Sequence, residues 1–270
     1  MQKPKLIPTI EFFGFTLIIV LNLLSCQTFR PEEGSKDDTV LDNQLAAASS
    51  FIDNGEPQKA LNEIKPLLLS NPDDAAVNNV AGLTQMALKN DKKALFYFRK
   101  AFALDNAPTY GVNLAAALSE NGQYNEGEKI LIKILNQKNF KSYRYPERIF
   151  HNLAKIKEHQ NQFKMAEKYY RRAISENPTY YLTKFQYAKL LDRTKRPGLA
   201  LHMMEEAQTA CPVCPEPVEE LVKKYRSLGK TAQAKVLIQS FIKTDGVPDS
   251  DIVRMRKLTA ELDQPPKLLR

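Results

Sequence analysis

The chain has no tryptophan, three cysteines and three histidines in 270 residues. Three cysteines are too few for a disulfide-held scaffold. Three histidines leave little for a multi-histidine metal enzyme. Ten glycines and sixteen prolines exclude a collagen-like or wholly disordered chain. There is no GxxxxGK[ST], no HExxH and no GxSxG, so three common catalytic or phosphate-binding signatures are absent. His151 and His159 stand eight apart on one helix, too far to share a metal without a third ligand. No metal site, catalytic residue or small-molecule substrate is expected. What is present is 43% apolar and 26% charged residues with formal charge +8. That is ample for a core in one large domain or two small ones.

The N-terminus reads as an address. Lys3 and Lys5 precede an apolar stretch from Phe12 to Leu21, then Leu23-Leu24-Ser25-Cys26. The stretch is shorter than the ~20 apolar residues of a membrane span and fits a secretory signal, residues 1–25. Leu-Leu-Ser-Cys resembles a bacterial lipobox. That resemblance implies cleavage before Cys26 and an N-acyl diacylglycerol anchor on it, including palmitate-like chains; the plainer alternative is an ordinary signal with a chance cysteine. No cofactor beyond this lipid is expected. Each buried CH₂ contributes about 0.8 kcal/mol, so several chains hold durably. Gln27 in place of Asp after the cysteine implies, within that family, the periplasmic face of the outer membrane. Residues 26–40 are polar, with Pro31 and Gly34, and read as a flexible tether.

Residues 41–244 repeat one unit six times. Ala60, Ala94, Gly127, Ala166, Ala200 and Ala234 fall at intervals of 34, 33, 39, 34 and 34. Four residues after each stands a large apolar side chain: Ile64, Phe98, Leu131, Tyr170, Met204 and Ile238. Three further on are Leu67, Ala101, Ile134, Ala173, Ala207 and Phe241. Spacings of three and four put these on one helix face. Turns are marked by Asn54-Gly55, Asn121-Gly122 and Leu228-Gly229. Such a unit cannot bury its own face; stacking neighbours makes the core continuous. The pattern resembles the tetratricopeptide repeat. That implies an all-α, right-handed solenoid of about six helix-turn-helix pairs. The repeat's usual Trp is replaced by Gln44, Asn78, Gly111, Phe150, Lys184 and Val218. A helix opening at Asp249-Ser250, with Ile252, Met255, Leu258 and Leu262, is expected to cap the last repeat within 245–270. The 39-residue interval places five extra residues in 139–147. They form either a longer loop or helical turn, or a partner contact presented by Tyr143, Arg144 and Tyr145.

Two further features are chemical. Cys211-Pro-Val-Cys214 lies in the turn between repeats five and six. A structural disulfide and free thiols are both open; a thioredoxin-like centre would need a βαβ setting that is not visible. Basic residues gather in 164–172 and 193–196. They read as a solvated helix face or a surface for anionic lipid or acidic protein rather than nucleic acid, given the secretory signal.

In tetratricopeptide proteins the first helix of each pair lines a binding groove. That resemblance maps a mainly apolar half onto Leu45, Ile52, Asn79, Leu83, Met86, Val112, Asn113 and Ala116. It maps a basic half onto Arg148, His151, Asn152, Lys155, Phe185 and Lys189, with Lys223 and Arg226 beyond. Asn113 and Asn152 share one repeat position. They either bond a ligand's main chain or satisfy neighbouring helices. Lipobox, tether and six repeats, with Tyr145-Pro-Glu-Arg-Ile-Phe-His-Asn-Leu-Ala154 at the longer junction, are similar to the PilF/PilW-type pilotins, outer-membrane lipoproteins of type IV pilus biogenesis. That resemblance implies a non-enzymatic module that binds a secretin subunit. The alternative is a general periplasmic scaffold that recruits envelope enzymes.

Overall fold

The computed structural model describes residues 36–262, and these form thirteen α-helices with no β-strand among them. Six antiparallel pairs follow one another: α1 (Lys36–Asp53) with α2 (Pro57–Ser70), α3 (Ala75–Ala87) with α4 (Asp91–Leu104), and α5 (Pro108–Glu120) with α6 (Tyr124–Leu135). After the longer junction come α7 (Pro146–His159) with α8 (Phe163–Glu176), α9 (Tyr181–Arg193) with α10 (Pro197–Ala210), and α11 (Pro215–Ser227) with α12 (Thr231–Phe241). α13 (Asp249–Leu262) closes the stack. None of the described helices is long and apolar enough to cross a membrane.

Local chemistry sets the helix ends. Proline opens α2, α5, α7, α10 and α11, where its missing N–H costs nothing and its fixed φ suits a first turn. Asp74 caps α3 by accepting from the Val77 amide at 2.8 Å. The turn inside each pair needs one residue at positive φ. Gly55, Lys89, Gly122, Asn161, Lys195 and Gly229 fill that place with φ between 58° and 75°. They recur at the intervals of the repeat itself, so one backbone solution is used six times.

The core follows the sequence pattern. The small residue of every second helix is buried, as are the residues four and seven places after it. Small residues also allow close approach between helices: a Cβ on Gly82 would sit 2.6 Å from the Phe98 ring, and one on Gly111 would sit 2.6 Å from Ile134. Divergence at the usual Trp position is met locally. Asn78 donates to the carbonyls of Pro72 and Asp74 at 2.8 and 2.7 Å, Phe150 stacks near Tyr169, and Lys184 pairs with Glu206 at 2.9 Å. At the end, Met255 and Leu262 of α13 pack with Val218, Val222 and Ile238. The last repeat's open face is thereby covered.

Two boundaries differ from the expectation. α1 starts at Lys36, so the last residues of the expected 26–40 tether are helical. The five extra residues wind into a 3₁₀ turn, Lys138–Ser142. Phe140 and Tyr143 pack on the core of repeats three and four, which holds the turn down. The signal segment and Cys26 lie outside the described residues.

Candidate functional site

The first helices of the pairs stack directly: α1 on α3, α3 on α5, and α5 on α7. Between the first four of them opens a cavity of about 270 Å³. α1 forms one wall with Asp42, Leu45, Ala46, Ser49, Ile52 and Asp53. α3 contributes Ala76, Asn79, Val80 and Leu83; α5 contributes Thr109, Tyr110 and Asn113. The opposite wall is Arg144, Tyr145 and Arg148, from the longer junction and the start of α7. The same repeat positions recur: Asp42, Ala76 and Thr109 are equivalent, as are Ala46, Val80 and Asn113. The cavity is therefore one surface of the repeat, written three times with different side chains.

At the cavity's centre Asn113 Nδ2 donates to Asn79 Oδ1 at 2.8 Å, across thirty-four residues. Asn79 is almost fully buried and Asn113 half-buried. Whichever way the two amides are turned, the pair keeps one NH₂ and one carbonyl oxygen for a further partner. That is the donor and acceptor set of a peptide group. Of the two roles its sequence position allowed, the structure shows Asn113 tying α5 to α3.

The junction wall is a cation–aromatic stack. The Arg148 and Arg144 guanidiniums lie 4.9 and 5.6 Å from the Tyr145 ring centroid. Tyr143 meets Tyr145 edge to face at 6.1 Å. Burial pushes the Tyr143 hydroxyl well above its ordinary pKa. Tyr110 is raised to about 12, mainly by burial and next by Asp105 and Asp74. Both remain neutral hydrogen-bonding groups. Facing them, Asp42 and Asp53 make the α1 wall acidic, so the cavity is apolar in the middle with opposite charges on its two sides.

Of the groove residues read from sequence, Leu45, Ile52, Asn79, Leu83, Asn113 and Arg148 come together here. The others do not. Val112 is buried in the core with Leu131 and Leu153. Met86 packs on the Ala94–Phe98 cluster. Ala116 and Asn152 are half-buried outside the cavity lining. Phe185 is buried with Met204 and Leu221, and the Lys189 ammonium sits 5.5 Å from its ring. Lys155 pairs with Glu120 at 2.8 Å, and Lys223 with Glu220 at 2.7 Å.

His151 corrects the basic-groove expectation most directly. Its ring is buried, with Nδ1 3.0 Å from Thr183 Oγ1 and Tyr170 and Tyr180 edge-on. Burial, followed by the Lys155 charge, lowers its pKa to about 3. It is a neutral interior group. The arginines of the basic cluster at 164–172 and 193–196 are likewise held in ion pairs. Arg171 and Arg196 pair with Glu167, Arg172 with Glu176 and Arg193 with Glu158. The sequence pattern did not point to Asp42, Asp53 or Tyr110. The first two share a helical face with Leu45, Ser49 and Ile52, a signal that spacing could have supplied.

Cys211 and Cys214 are joined by a disulfide across the α10–α11 turn, with Cα atoms 5.4 Å apart. No group of three or more metal-ligating side chains forms among the described residues.

A tetratricopeptide-repeat family model matches residues 75–108 and 147–180, the second and fourth helix pairs. The fold is a tetratricopeptide-repeat solenoid. The solved structure of PilW, a type IV pilus biogenesis factor, superposes with TM-score 0.61 at 17% identity, over 83% of this chain and 100% of that one. PilF of Pseudomonas aeruginosa gives 0.58 at 16%, over 84% and 100%. Human IFIT1, solved as a dimer with PPP-AAAA, gives 0.59 at 16%, over 82% of this chain and 59% of that one. No curated protein sequence matches the chain. Tetratricopeptide solenoids serve as protein-interaction scaffolds, and these likenesses establish the fold.

Proposed function

We propose that this solenoid is a non-enzymatic capture module, anchored by lipid on Cys26 at the periplasmic face of the outer membrane, and that it binds an extended segment of a type IV pilus secretin subunit. The observation that carries the reading is the cavity between α1, α3, α5 and the α7 junction. Its Asn79–Asn113 pair offers a donor and an acceptor to a main-chain peptide group without demanding a sequence. Its apolar middle takes an aliphatic or aromatic side chain. Arg144 on the junction wall favours an acidic residue at one end, and Asp42 on α1 favours a basic one at the other. The Asp42 carboxylate also disfavours a polyphosphate such as the one in the IFIT1 structure. The likeness to PilW and PilF over the whole of those solved chains supports the choice of machinery, and the disulfide suits an oxidising compartment.

Deleting the gene should abolish heat-resistant secretin multimers in outer-membrane fractions and stop twitching. Normal multimers in the deletion strain would overturn the reading. Recovery of a peptidoglycan hydrolase rather than a secretin from detergent extracts would favour the general envelope scaffold.

A further inference from the structure

A second surface stands on the opposite side of the first two repeats. α2 and α4 separate there, and a furrow opens between them, floored by Ala81 and Gln85 of α3. Phe96 is 61% exposed on its rim, and Leu69, at the end of α2, is 85% exposed. Leu61, Leu68 and Tyr97 line it, with Lys65, Lys92 and Lys93 among them and no carboxylate in the lining.

These lysines differ from the arginines of the second half. Arg171, Arg172, Arg193 and Arg196 are held by carboxylates. Lys65, Lys92 and Lys93 form no ion pair among the described residues. Lys92 and Lys93 also sit in the first turn of α4, where positive charge opposes the helix dipole. Helix stability therefore does not account for them. An exposed ring flanked by unneutralised lysines on amphipathic helices is the arrangement that seats on a charged bilayer, the ring entering the interface while ammonium groups meet headgroups. The furrow lies on the repeats joined directly to the N-terminal segment, which carries Cys26.

We infer that the α2–α4 furrow docks on an anionic phospholipid surface. Docking this face leaves the cavity on the other side of α3 directed away from the bilayer. The inference does not require lipidation of Cys26, so it stands or falls separately from the capture function.

The chain lacks tryptophan, which permits a clean optical test on residues 27–270, a fragment that holds every described helix and the whole stacked core. Phe96→Trp reports on the furrow. Val236→Trp, at an exposed position of α12 far along the solenoid, is the control. Vesicles of equimolar phosphatidylglycerol and phosphatidylcholine should blue-shift the indole emission of Phe96→Trp and leave that of Val236→Trp unchanged. Phosphatidylcholine alone should shift neither. Lys65→Gln, Lys92→Gln and Lys93→Gln should each weaken co-sedimentation by about fivefold. Lys164→Gln on α8 should leave it unchanged. Absence of a shift in Phe96→Trp, or equal shifts in both reporter variants, would overturn the inference. So would equal losses from Lys164→Gln, which would mean diffuse attraction to net charge.

Discussion

His151 shows how far a residue's role depends on what surrounds it. By type and helix position it belongs to a basic groove. By packing it is an interior hydrogen-bond partner of Thr183. Below pH 6.5 the unfolded chain takes up a proton here that the folded chain refuses until about pH 3. The unfolded state then binds more protons, so stability falls as pH falls through that window. At pH 5 the loss relative to neutral pH is about 2 kcal/mol. Urea midpoints at the two pH values should show this loss, and His151→Gln should remove it. Tyr145 teaches the complementary lesson. Its sequence offers an aromatic beside two arginines; only the folded junction turns them into a wall of the cavity.

At the scale of the element, backbone geometry and close approach decide which substitutions are tolerated. Gly122 sits at φ 75°, and a Cβ added there would meet no atom within 4 Å. Gly122→Ala should therefore cost about 1 kcal/mol through the left-handed backbone alone. Gly82 lies in ordinary helix, but the buried Phe98 ring stands against it, so Gly82→Ala should cost about 1–3 kcal/mol by forcing α3 and α4 apart. Ala166→Leu belongs to the same class, because Ala166 is fully buried where α7 meets α8. Chemical denaturation of the three variants checks all of them. The α10–α11 disulfide closes a short loop, for which chain entropy gives about 2 kcal/mol. Reduction with dithiothreitol should lower the melting temperature while leaving helical content intact.

For the whole molecule the question is which surface meets a partner. Ala46 is exposed and lines the cavity, so Ala46→Arg fills the space without touching the core. Arg144→Glu reverses the charge of the opposite wall. Both should weaken capture of the partner at least about tenfold, the loss of roughly 1.4 kcal/mol, with unchanged thermal melts. Unaltered capture by both variants would remove the cavity from the mechanism. Met86→Glu is an unsuitable probe, because Met86 packs against the Ala94–Phe98 cluster and its change would destabilise the stack. A solenoid makes this separation possible: each repeat contacts its neighbours alone, so one face can change while the core remains.

The repeat period, the helix pairs, the buried small residues and the terminal helix were all legible along the chain. They are local properties: helical periodicity, proline and glycine placement, and a size constraint that recurs every 33 or 34 residues outside the longer junction. The site was only half legible. Leu45, Asn79 and Asn113 could be found because the first helices of stacked pairs turn the same face to the groove. Which of those positions open into a cavity, and which are closed by a neighbouring ring or carboxylate, was decided by packing between elements distant in sequence. Val112 and Phe185 were drawn into the core, His151 was stripped of its charge by burial, and the 3₁₀ turn at Lys138–Ser142 carried Arg144 and Tyr145 to face α1. Sequence periodicity specifies a face; the stacking of one unit on the next decides how much of that face water, or a partner, can reach.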